Sequence, residues 1–178
     1  MNFERMLYDM LSYSAPIILC VLGGNFAHRA NVLNIALEGM LLMGAFTSVL
    51  FVMLTKNILL GILGSIIISL LLGLVFSFMS VTKKGNPIIA GLAINLIASS
   101  VSAFILKAMS LPNLNVNSIV DVAALKIHIP IIQSIPFLGK ILSGHPFLTY
   151  LSFFGIFIMW VIMYLSLIHI SEPTRHSL

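Results

Sequence analysis

Glu38 is the only acid in any of the long apolar runs of this 178-residue chain, and a single carboxylate cannot do paired acid–base chemistry. HExxH, CxxC and Gly-rich phosphate-loop patterns are absent from the sequence. His128 and His145 fall between apolar runs with no ordered acidic partner, so they make a poor metal set. An enzyme working at membrane depth needs two acids, or a nucleophile and a base, and the apolar runs supply neither. Chemistry here therefore means binding rather than bond-making, and the informative stretch is Asn25–Phe46, NFAHRANVLNIALEGMLLMGAF. Asn31 and Asn34 are expected to cap the helix that follows. Glu38 then falls in its first turns, where the helix dipole favours negative charge. That arrangement has two readings. It is either a capped helix start near the interface, or a helix that begins inside a bundle with its terminus and acid bordering a solute path. Asn95 raises the same question, because a buried amide must be satisfied and often lines a polar cavity.

The elements that must position these residues are membrane helices. Hydrophobic residues make up 60% of the chain and charged residues only 8%; mean hydropathy is +1.13. A soluble domain of this length needs far more charge. Five apolar segments are read: about 10–27, 35–54, 58–81, 87–106 and from 146 to at least 164. Lipid offers no partner to free backbone groups, so each must be helical where it crosses, and period-two alternation is missing. The expected fold is an all-α polytopic bundle whose first segment is broken by Pro16 and the Gly23-Gly24 pair. Gly61, Ser65, Ser69, Gly73 and Ser77 recur every four residues, a small-residue stripe suited to helix packing; Gly91, Asn95, Ser99 and Ala103 repeat the pattern.

The net charge of +4 is spread singly or in pairs between apolar runs, as in loops flanking membrane helices, so nucleic acid is not an expected partner. Lys83-Lys84 marks the cytoplasmic side. It follows that the Lys56 turn, the stretch from Lys107 to His145 and the amino terminus lie outside, with His28 and Arg29 inside. Apolar pieces of the outer stretch, such as 127–135, are too short to span and are expected at the interface. Glu4, Arg5 and Asp9 argue against a cleaved signal peptide. Cys20 is the sole cysteine and has no intrachain disulfide partner.

Several blocks resemble the permease family of ABC importers for branched-chain amino acids, ribose and nucleosides, with closest similarity to the nucleoside and simple-sugar branch. They are Ala15-Pro16, Leu22-Gly23-Gly24, RANVLNIALEGM at 29–40, Gly44-Ala45-Phe46, NPIIAGLAIN at 86–95, IPFLG at 135–139 and LTYL at 148–151. His28 departs from the family, where Glu is common. The resemblance implies a bacterial inner-membrane, multi-pass permease subunit without enzymatic activity. Its partners would be a second permease subunit, cytoplasmic ATP-binding subunits and an extracytoplasmic substrate-binding protein. The chain itself would hold no cofactor, ATP being bound by the partner ATPase. It further implies that Asn34, Glu38 and Gly39 lie in a broken-helix region beside the path, and that Gly91 and Asn95 face it from a core helix. The alternatives are a membrane scaffold without transport activity and a branched-chain amino acid importer.

Residues 165–175, LSLIHISEPTR, match the translation of a transposase sequencing adapter. Residues 1–164 are accordingly expected to be the N-terminal part of a transmembrane permease domain, and 165–178 a non-native tail from adapter read-through. Such a fragment would lack the cytoplasmic loop that engages the ATPase and would not function alone.

Overall fold

The computed structural model describes residues 3–117, 119–121, 125–130, 135 and 137–163. Among these the helices are α1 (Phe3–Arg29), α2 (Leu37–Thr55), α3 (Ile58–Ser77), α4 (Pro87–Ala108), α5 (Leu138–Leu142) and α6 (Phe147–Val161). A π-helical turn, Phe78–Thr82, continues α3. Two short strands, β1 (Lys126–Ile127) and β2 (His145–Pro146), pair antiparallel, with Lys126 opposite Pro146 and Ile127 opposite His145. Among the described residues four helices, counting α3 with its π-turn, are long and apolar enough to cross a membrane. The fifth apolar helix, α6, is 15 residues long. The expectations placed on Tyr164 and on the 165–178 tail fall outside the described residues.

The first segment is not broken. α1 runs unbroken for 27 residues through Pro16, Gly23 and Gly24, and takes in Glu4, Arg5 and Asp9. Proline removes one ladder donor, but in lipid the remaining backbone groups must still be satisfied internally, which keeps the helix going through it.

Helix ends follow local side-chain chemistry. Asn57 Oδ1 accepts from Leu59 N at 2.9 Å and starts α3. Asn86 Oδ1 accepts from Ile88 N at 2.9 Å and starts α4, with Pro87 in the first turn. Asn31 does something different from the cap expected of it. It has a φ of +56°, its N–H donates to His28 O at 3.0 Å, and Val32 N donates to Ala27 O at 3.0 Å. This is a left-handed closure of α1, a role that asparagine takes more readily than other residues with a Cβ.

The chain divides into two units, Gly24–Val122 and Met1–Gly23 with Ala123–Leu178. In the first, α2 packs on α3 and α4 around Ala36, Phe76, Ala90 and Ile94, flanked by Val32, Met40 and Leu72. A Cβ added at Gly61 would run into Val52 and stand 2.8 Å from Ser48 O; one at Gly64 would stand 2.9 Å from the Phe51 ring. Ser69 Oγ reaches Met40 O at 3.5 Å. Ser65 instead bonds its own helix at Ile62 O, Gly73 has open space where a Cβ would go, and Ser77 is exposed. A strict four-residue repeat rotates about 40° per step around an α-helix, hence about 160° from position 61 to 77, so one neighbour cannot meet the whole stripe. The face that meets α2 and the core instead runs through Gly61, Gly64, Ser69, Leu72 and Phe76.

In the second unit the N-terminal part of α1 is pinned to the turn before α6. Tyr8 stacks on the His145 ring with centroids 4.0 Å apart, and its hydroxyl donates to Gly144 O at 2.6 Å. His145 is 2% exposed. Its Nε2 lies 2.7 Å from Ile141 O, which can only accept, so Nε2 carries the proton there. Its Nδ1 pairs with Ser12 Oγ at 2.9 Å.

Candidate functional site

The seven residues between α1 and α2 are not helical; Asn31 closes α1, and Asn95 meets the chain where α2 begins. In an α-helix the Gly39 N–H would bond the Ile35 carbonyl one turn back. Instead Asn95, one of α4's residues, inserts its side-chain amide at this pair. Its Oδ1 accepts from Gly39 N at 2.8 Å, and its Nδ2 donates to Ile35 O at 3.1 Å. The amide thus splices into the ladder of another helix and is satisfied on both ends. One residue earlier, Asn34 Oδ1 accepts from Ala36 N at 3.0 Å, an Asx-turn that fixes the approach to α2.

Both helices are stripped of side chain at this crossing. A Cβ on Gly39 would stand 2.7 Å from Asn95 Oδ1 and 2.9 Å from Asn95 Cα. A Cβ on Gly91, one turn earlier on α4, would stand 3.0 Å from Ala36 N and from Ile35 Cβ. The two glycines let the backbones come close enough for an asparagine side chain to reach across.

In front of this crossing opens a cavity of about 380 Å³, lined by Glu38, Gly39, Leu42, Leu92, Asn95, Leu96 and Ser99. The size suits a small solute. Glu38 is exposed in it, and no ion pair to Glu38 occurs among the described residues. Of the residues singled out from sequence, Glu38, Gly39 and Asn95 therefore share one cavity. Asn34 and Gly91 hold the backbone behind it and do not line it. In the sequence Ser99 stands out only as part of a small-residue repeat, and Ile35 contributes through its carbonyl, which no residue type announces.

A sequence model for the branched-chain amino acid transport system permease component matches residues 6–171. The chain belongs to that family. Three similar proteins carry the name of ABC transporter permease proteins. The guanosine ABC transporter permease protein NupQ of Bacillus subtilis is 33% identical over 161 residues, covering 86% of this chain and 50% of NupQ. The nucleoside ABC transporter permease protein NupC of Lactococcus lactis subsp. cremoris is 30% identical over 151 residues, 79% of this chain and 45% of NupC. The putative glucose ABC transporter permease protein TsgC13 of Haloferax volcanii is 30% identical over 105 residues, 58% of this chain and 32% of TsgC13. The chain spans about half the length of NupQ and NupC. No solved structure matches it. As a permease-family chain with four helices able to span, it is a multi-pass membrane protein.

Proposed function

We infer that this permease-family chain forms part of the membrane pathway of an ATP-driven, binding-protein-dependent importer for nucleosides or simple sugars. The observation that supports this best is the interrupted start of α2, where an amide from α4 holds the helix terminus open beside a cavity carrying Glu38. A transporter needs polar groups at depth that are already satisfied by protein, with only a few left for solute, and this crossing meets that need. The names of the relatives weigh towards nucleosides over branched-chain amino acids. In this reading the chain binds no nucleotide. A second permease subunit completes the path, cytoplasmic ATP-binding subunits drive it, and an extracytoplasmic binding protein delivers solute.

The test is uptake in cells that lack their own nucleoside import and express the complete transporter. Labelled guanosine or ribose should accumulate only when this chain and an intact ATPase are both present. Accumulation of leucine with neither nucleoside nor sugar would overturn the solute assignment, and no ATPase-dependent uptake of any of them would overturn the importer reading.

A further inference from the structure

We propose that the cavity at the start of α2 is a charge filter, admitting neutral or cationic solutes rich in hydrogen-bond donors and turning anions away. This rests on the reading of the cavity as part of a solute path. A bare helix start attracts anions through its free N–H groups. Here two of the donors that an anion would seek are filled by amide oxygens, Ala36 N by Asn34 and Gly39 N by Asn95. The Asn95 amino group is also engaged, on Ile35 O. Ser99 directs its hydroxyl proton to Leu96 O at 3.0 Å, which leaves its oxygen lone pairs as what it can offer a solute. Glu38 is the one charged residue in the lining, and Leu42, Leu92 and Leu96 complete it. The side-chain polar complement is thus made of acceptors plus one negative charge, framed by apolar walls that weaken dielectric screening. Hydroxyl and amino groups of a neutral solute match those acceptors, whereas a phosphate or carboxylate meets the repulsion of Glu38.

The electrostatics can be read without transport. In the complete transporter, with Cys20 and every other native cysteine replaced by serine, Ser99→Cys places a thiol in the cavity. Its reaction rates with a trimethylammonium and a sulfonate methanethiosulfonate are measured in membrane vesicles, each divided by the rate with free 2-mercaptoethanol. The cationic reagent should be favoured by at least about fivefold. Glu38→Gln should bring the ratio close to one, and Glu38→Asp should keep most of it. If Glu38→Gln fails to insert, salt gives the same decision, because the preference must shrink from about 0.01 M to about 1 M as the Debye length shortens. A ratio that ignores both Glu38→Gln and salt, an anionic reagent that reacts as fast, or a thiol inert to both reagents overturns the filter. Lost uptake in Glu38→Gln with an unchanged ratio keeps the importer reading and sinks the filter. A collapsed ratio with unchanged uptake and unchanged solute choice places the charge off the solute path and also sinks it.

Discussion

Asn95 Oδ1 accepts a hydrogen bond from Gly39 N–H at 2.8 Å, so a residue of α4 supplies the acceptor that α2 would otherwise find in its own preceding turn. The other end of the same amide serves Ile35 O at 3.1 Å. A side chain that substitutes for a helical turn ties stability and site geometry to one position.

Asn95→Leu is expected to leave Gly39 N and Ile35 O without these partners in a poorly hydrated place. The cost should be about 1–3 kcal/mol, read as a lower unfolding temperature in detergent. An unchanged transition would show that the amide bridge contributes nothing to holding α2.

Glycine replacements should separate by location. Gly39→Ala puts a methyl 2.9 Å from the Asn95 Cα, which is backbone and cannot swing away, and should cost about 1–3 kcal/mol. Gly73→Ala meets no atom within 4 Å and should be neutral, or more stable by up to about 1 kcal/mol as helix propensity improves. Equal effects at the two positions would contradict the close crossing of α2 and α4.

In the other unit, His145→Ala should destabilise by about 1–3 kcal/mol, since it strips the Tyr8 ring of its stacked partner and leaves Ser12 and Ile141 without theirs. Tyr8→Phe removes only the bond to Gly144 O and should cost less, about 1 kcal/mol. Thermal unfolding of both variants decides; a tyrosine change costing more than the histidine change would reverse this assignment.

Glu38→Gln in the complete transporter should lower uptake roughly tenfold or more, the worth of one hydrogen bond to a charged group. Glu38→Asp should recover part of it. Uptake at the original rate, with normal protein levels, would remove Glu38 from the path.

Much of the helical framework is written locally. Asn57 and Asn86-Pro87 are start signals that act within two residues, so α3 and α4 begin at Ile58 and Pro87, as their sequences predict. Pro16 and Gly23-Gly24 look like breaks when judged by intrinsic propensity in water, yet α1 runs through them. The sequence suggests Asn31 as a cap for the helix ahead, whereas it closes the helix behind it; the residue type suits either role, and only φ decides. The partners of Asn95 lie 56 and 60 residues away, and those of His145 in α1 lie 133 and more, so no local pattern reveals them. Sequence marks Asn95 as an amide needing partners but not where it finds them.

The spliced ladder also has a mechanical meaning. Sliding α4 against the start of α2 by one turn would break two hydrogen bonds at once and drive side chains into the places now kept bare at Gly39 and Gly91. Ser69 Oγ, by contrast, touches α2 through a single 3.5 Å contact at Met40 O. The head of α2 is therefore latched to α4 by hydrogen bonds, while its body lies on α3 through packing at Gly61 and Gly64.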